Sequence, residues 1–192
     1  MTHHLGLTGS IGMGKSTTAQ MFRDAAVPVW DADATVHRLY AKGSAAVPPL
    51  GDVFPDAVID GTVSRDKLKH IIAVDPAALA KIEHIVHPLV AADRRAFVAN
   101  HDAPLLVFDI PLLYETGADS WLSSVLVVTV PPAVQRDRVL ARPGMTLQHL
   151  DQILQRQMPD AEKRARADHV IETLTLDGTR AAVQELIGKL TG

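Results

Sequence analysis

Apolar residues along the chain fall into short unbroken runs separated by helix-like stretches. The runs at 5–7, 27–30, 105–108, 125–130 and 170–171 show almost no polar alternation, and a strand without alternation is one buried on both faces, as inside a parallel sheet. Residues 16–23 contain no breaker and predict a helix after the first strand, and residues 179–190 predict an amphipathic helix closing the chain. Another helix is expected from Asp33, as its N-cap, through Val36, His37 and Leu39 to Lys42. Strands that alternate with helices indicate an α/β fold around a parallel sheet of five strands.

The rhythm breaks between Gly43 and Asp75, where Pro48, Pro49, Gly51, Pro55 and Gly61 precede a helix-like stretch at 65–72. Residues 76–85 predict a helix ended before His87-Pro88, and Pro88 suits the first turn of a second helix reaching Asn100. The expectation is one domain over 1–192 with a helical insertion at about 43–100. After the run at 125–130 come Pro131 and Pro132, a helix carrying Arg136, Arg138 and Arg142, and then a polar stretch with Arg156, Lys163, Arg164 and Arg166. Residues 136–166 are therefore either a basic lid or an ordinary solvated helix pair. No internal repeat or low-complexity tract is present.

Between the first strand and its helix lies Gly9-Ser10-Ile11-Gly12-Met13-Gly14-Lys15-Ser16, a full match to the phosphate-loop pattern in the required strand–loop–helix context. Gly9, Gly12 and Gly14 let the backbone wrap N–H groups around a phosphate, and Lys15 adds a full charge. The Ser16 hydroxyl is placed to ligate Mg²⁺. The expected ATP contacts are Gly9, Gly12, Met13, Gly14, Lys15, Ser16 and Thr17.

Other chemistry follows from position. Asp31 and Asp33 end the second run, at the sheet edge where ligands of parallel α/β proteins bind, so Asp33 is either a reacting-group partner or a helix cap. Asp109 closes the third run and resembles a Walker B acid linked to metal, or else caps the next turn. Arg138 and Arg142, four apart, share a helical face, with Arg136 nearly opposite Arg138. His87 either touches a substrate or packs; His84 and His87 lack a third ligand, so no metal site is expected there. His3 and His4 precede the first strand and are expected to be solvated.

Composition narrows the field. The 192 residues carry a formal net charge of −3 and are 47% hydrophobic and 21% charged, average for a globular protein and without the positive field that attracts nucleic acid or anionic membrane. There is no cysteine, no signal-like N-terminus and no membrane-length apolar run, so a cytoplasmic protein without nucleic-acid or membrane partners is expected. No Asn-Lys-x-Asp guanine signature follows the fourth run, and the chain is small for a motor. An acid pair beside the loop, an insertion able to hold an acceptor and a basic lid describe a small-molecule kinase, which must exclude water.

The motifs also carry a resemblance. Besides the loop from Leu7, the chain holds Asp31-Ala32-Asp33, His87-Pro88-Leu89-Val90, residues 109–115 (Asp-Ile-Pro-Leu-Leu-Tyr-Glu), Arg138-Val139-Leu140-Ala141-Arg142, residues 152–157 (Gln-Ile-Leu-Gln-Arg-Gln) and Ala167-Asp168-His169-Val170-Ile171. In that order they resemble the dephospho-coenzyme A kinase family over nearly the whole chain. Two departures are visible: Ser10 stands where the family often has glycine, and Glu172-Thr173-Leu174-Thr175 replaces its usual Asp-Asn and glycine, which puts adenine contacts from that loop in doubt. The resemblance implies a nucleoside-monophosphate-kinase-like P-loop fold with a coenzyme A-binding insertion and a lid. It further implies ATP-dependent phosphorylation of the ribose 3′-hydroxyl of dephospho-coenzyme A. In this reading Lys15, Asp33, Arg138 and Arg142 are catalytic, Asp31, Asp33 and His87 bind substrate, and Ser16 with Asp109 serves Mg²⁺.

Overall fold

A computed structural model describes residues 2–192. In chain order its elements are β1 (His3–Thr8), α1 (Lys15–Asp24), β2 (Val29–Asp31), α2 (Ala32–Tyr40), α3 (Val47–Val53), β3 (Val58–Ile59), β4 (Thr62–Val63), α4 (Arg65–Val74) and α5 (Ala77–Ala99). There follow β5 (Leu105–Asp109), β6 (Ser124–Thr129), α6 (Pro132–Leu140), α7 (Leu147–Leu154), α8 (Asp160–Arg166), β7 (His169–Glu172) and α9 (Leu176–Thr191). The chain divides into two compact units: residues up to Trp30 together with His101–Gly192, and Asp31–Asn100.

The first unit is built on a parallel sheet of five strands in the order β2-β5-β1-β6-β7. Register sets Leu7 of β1 opposite Asp109 of β5 and Leu126 of β6, so the carboxylate ending β5 is level with the place where β1 runs out into the loop. Every residue of β5 and β6 is buried, which explains their unbroken apolar sequences. One core joins Leu5, Leu7, Val107, Leu126 and Val128 of the sheet to Ala19 and Phe22 of α1 and Val183 and Leu186 of α9. At about 1.5–3 kcal/mol for each fully buried aliphatic or aromatic side chain, this packing fixes where α1 begins.

β1 starts earlier than its apolar run. His3 pairs in register with Leu105 and is hydrogen-bonded through Nε2 to Ser124 Oγ at 2.7 Å, while the His4 ring meets Phe108 edge-on at 5.3 Å. Both histidines are thus half-buried strand residues, not solvated ones.

The second unit packs around Tyr40, Leu50, Val63, Leu68, Ile82 and Val86. It begins at Asp31, not near Gly43, because α2 is tied to α5: Thr35 Oγ1 donates to Asp93 at 3.1 Å and Arg38 donates to both Asp93 oxygens at 3.1 and 3.2 Å. Asp31, not Asp33, caps α2. The strand is still extended at Asp31 (φ −119°, ψ 115°), and its carboxylate accepts the Ala34 N–H at 2.8 Å, the geometry of an N-cap.

Pro48 does not break the chain but sits in the first turn of α3, where a missing N–H costs nothing. β3 and β4 form an antiparallel hairpin turned by Asp60 (φ 52°) and Gly61 (φ 78°), an Asp-Gly turn with both central residues left-handed. α5 corrects the expected helix break, for its 23 residues run through Pro88. The proline removes one backbone bond at a cost of about 3 kcal/mol. Ile82 and Val86 before it and Leu89 and Val90 after it pack into the same core, which holds the two halves together.

Candidate active site

The phosphate loop is framed by close approaches. Thr8 Oγ1 donates to the Pro111 carbonyl at 3.0 Å. A Cβ on Gly9 would lie 2.6 Å from a Val128 methyl and 2.9 Å from its carbonyl oxygen, so only glycine lets the chain leave β1 there. Gly14 opens α1 in the left-handed region (φ 85°) with no side-chain cap and no acidic residue in the first turn. The N–H groups and positive end of α1 are therefore open to an anion. Ser16 and Thr17 are exposed on that turn. Met13 is 2% exposed, its N–H donates to Ser10 O and its sulfur accepts the Val130 N–H, so it holds the loop's shape.

Lys15 is ion-paired with Asp109, whose side chain is almost wholly buried. The lysine charge offsets the desolvation of that carboxylate, so the two residues the sequence set apart, one from the loop and one from β5, form one charged centre.

Beside the loop lies a cavity of about 340 Å³ lined by Gly12, Gly14, Thr17, Arg138, Arg142 and Thr173 among others. The two arginines reach it differently from the expectation of a shared helical face, because α6 ends at Leu140 and Arg142 lies in the following turn. Arg138 donates through Nη1 to Thr173 Oγ1 at 3.2 Å and through Nη2 to Thr173 O at 2.7 Å. Thr173 Oγ1 donates in turn to Met13 O at 2.8 Å. Residues 173–175, within the 172–175 stretch where the sequence departs from the resembled pattern, thus line this cavity together with Leu176, and Thr173 ties them to the phosphate loop.

The stretch 136–166, expected from sequence to be either a basic lid or a solvated helix pair, is less basic at its surface than its sequence implies. Lys163 is fully buried and ion-paired with Glu115 at 2.8 Å. Arg164 pairs with Asp160 at 2.9 Å, and Arg166 pairs with Asp119 at 3.5 Å and lies over the Tyr114 ring. Burial by itself would push the Glu115 carboxyl up, but Lys163 and the Met158 N–H bring it below the usual glutamate range. Burial pushes the Tyr114 phenol up, Asp168 adding to the effect and Arg166 opposing it.

Asp31, Asp33 and His87 belong to the second unit. Asp31 caps α2, Asp33 is exposed in its first turn, and His87 is exposed in the middle of α5. In the first unit the structure brings together Gly12, Gly14, Thr17, Arg138 and Arg142, and separately Lys15 with Asp109. Sequence reasoning gave no role to Gln135, Gln157, Glu115 or Thr173, although 115 and 157 lie within quoted motifs. Gln135 and Thr173 are buried and Glu115 and Gln157 half-buried, and such a polar residue announces itself only through its partners, which are far apart in the chain.

Comparison with known proteins agrees in one direction. The sequence model of the dephospho-CoA kinase family matches residues 3–176. The dephospho-CoA kinase of Jannaschia sp. (strain CCS1) is 60% identical over 192 residues, covering 100% of this chain and 98% of the relative. That of Ruegeria pomeroyi is 58% identical over 190 residues, covering 99% and 96%. The crystal structure of TT1252 from Thermus thermophilus is 34% identical with a TM-score of 0.86, covering 100% of this chain and 99% of that one. With the family pattern running from β1 into α9 and full-length relatives more than half identical, the chain belongs to the dephospho-CoA kinase family.

Proposed function

We propose that the protein transfers the γ-phosphoryl group of ATP to the ribose 3′-hydroxyl of dephospho-coenzyme A, giving coenzyme A and ADP. The observation that carries the transfer chemistry is the single cavity in which Gly12, Gly14 and Thr17 of the loop region meet Arg138 and Arg142; family membership names the acceptor. The 3′-oxygen attacks the γ-phosphorus as the bond to the β,γ-bridging oxygen breaks, and Asp33 accepts the hydroxyl proton or orients it as it leaves. Lys15 and the N–H groups opening α1 hold the phosphates, and Arg142 stabilises charge on the transferring group. Arg138, committed to Thr173, acts mainly by shaping the pocket.

Ser16 and Asp109 are the residues that would hold Mg²⁺. An exposed hydroxyl on the open helix turn and a carboxylate beside Lys15 are hard oxygen donors, the type such an ion combines with phosphate and water oxygens. When bound it supplies positive charge to the phosphates. The 31–100 unit is the part we assign to the acceptor, with Asp31, Asp33 and His87 as polar contacts, and 136–166 is the lid that excludes water. No helix among the described residues is long and apolar enough to cross a membrane, and the cysteine-free composition supports a cytoplasmic setting.

The test is incubation with ATP and a panel of dephospho-coenzyme A, shikimate and nucleosides, with products read by mass. Phosphorylated product from dephospho-coenzyme A alone is expected. Product from another acceptor, or only ADP and free phosphate, would overturn the assignment.

A further inference from the structure

The α7–α8 connection reaches the phosphate loop through the Gln157 side chain. The Ile11 N–H donates to Gln157 Oε1 at 3.2 Å, and the Ile11 carbonyl accepts from Gln135 Nε2 at 2.8 Å. Ser10 O, on the same peptide group as the Ile11 N–H, accepts from Met13 N–H at 3.2 Å. Two successive peptide planes of the loop are therefore fixed, one by Gln157 from outside and Met13 from within the loop, the next by Gln135 from outside. Because a trans peptide points its N–H opposite to its carbonyl, holding the Ile11 carbonyl on Gln135 directs the Gly12 N–H away from Gln135. Gly12 lines the cavity beside the loop.

The segment carrying Gln157 is itself anchored. Glu115 Oε1 accepts the N–H of Met158, the next residue, at 2.8 Å and pairs with the fully buried Lys163 at 2.8 Å. Gln135 is 7% exposed, so its amide is committed to this contact. We propose that Gln157 is a positioning residue of the phosphate loop, clamping Ile11 by its N–H while Gln135 holds its carbonyl, and that the Glu115–Lys163 pair seats the connection from which it acts. Nucleotide affinity in this protein then depends on how the lid stretch is seated, before any acceptor binds. The proposal rests on the nucleotide-binding reading of the loop, but the clamp itself is a property of the nucleotide-free protein.

The test compares wild type with Gln157→Met, which keeps length and removes the amide oxygen, and Gln157→Glu, which keeps an oxygen acceptor. In nucleotide-free protein, hydrogen exchange of the Ile11 amide should rise about fivefold or more in Gln157→Met, the loss of one hydrogen bond from a backbone N–H to a side chain, while β1 and β6 keep their protection. Gln157→Glu should restore Ile11 protection. ATP affinity should fall about fivefold to tenfold in Gln157→Met, with the KM for dephospho-coenzyme A and the Tm little changed. In a double-mutant cycle the effects of Gln157→Met and Gln135→Met on ATP Kd should not add, because the two glutamines hold the two peptides that adjoin one residue, Ile11. Unchanged Ile11 exchange in Gln157→Met, failure of Gln157→Glu to restore it, or additive Kd effects would each overturn the proposal. If wild type binds no ATP, the reading of the loop falls, and the exchange comparison still decides the clamp.

Discussion

Replacing Lys163 by methionine removes a charge that lies wholly out of solvent and leaves its partner behind. Lys163 has 0% of its side chain exposed, and Glu115, 2.8 Å away, has 17%. Breaking a buried pair from one side costs about 3–5 kcal/mol, because the remaining charge is desolvated without compensation. Glu115 keeps the Met158 N–H and some solvent, so the lower end, about 3 kcal/mol, is expected. For a chain of this size each kcal/mol moves Tm by about 2–4 °C, giving a fall of about 6–12 °C. Adding Glu115→Gln to Lys163→Met removes both charges and should recover most of the loss, since an uncharged pair of similar volume is close to neutral.

The pH dependence has a definite sign. The folded Glu115 carboxyl lies below its ordinary value, so the pair's contribution is complete above about pH 4.3, the ordinary glutamate value, and is lost as pH falls through the lower folded value. In Lys163→Met the burial remains without the lysine, so the carboxyl titrates higher and the penalty is largest at neutral pH and shrinks toward pH 4. Calorimetry of wild type, single and double variants between about pH 2.5 and 8 covers both the acid side of the ordinary glutamate value and neutral pH. A Tm for Lys163→Met equal to wild type at pH 7, or a double variant as unstable as the single, would refute the reasoning.

Asp33→Asn should lower kcat by roughly 10²–10⁴-fold, the worth of a positioned acid–base group, without moving Tm, since Asp31 is the cap; unchanged kcat removes Asp33 from the mechanism. Asp31→Ala should cost about 1 kcal/mol, a Tm lower by about 2–4 °C in a melting experiment. Arg142→Ala should reduce turnover by roughly 10²–10³-fold, and Arg142→Lys should recover only part of it because a point charge lacks the guanidinium fork; full recovery would mean charge alone suffices. Lys15→Ala should abolish measurable transfer and also lower Tm by several degrees, because it takes the lysine charge away from the buried Asp109 carboxylate. Adding Asp109→Asn should restore Tm but not turnover, and restored turnover would remove both residues from phosphate binding.

Local rules determined a good deal of this protein. The unbroken apolar runs at 105–108 and 125–130 were legible as buried strands because a parallel sheet demands apolar residues on both faces, and the phosphate loop because its glycines, lysine and serine must occur at fixed spacing between a strand and a helix. The Asp60-Gly61 hairpin was equally local, but its strands of two residues carry no alternation to flag it. Other features were decided only when distant segments met. Pro88 stays inside α5 because the packing of Ile82, Val86 and Leu89 outweighs one missing hydrogen bond. Asp31 takes the cap from Asp33 because β2 stays extended through it and turns straight into α2. Lys163 looks like any lid cation in sequence and is buried, since its partner Glu115 arrives from the loop after β5. The clamp on Ile11 draws Gln135 and Gln157 from two different parts of the chain. Periodicity and spacing report what a residue does to its own neighbourhood; whether a charge is solvated or paired, and which side chain holds which peptide, depends on partners that only the tertiary fold brings within 3 Å or so, the reach of a hydrogen bond.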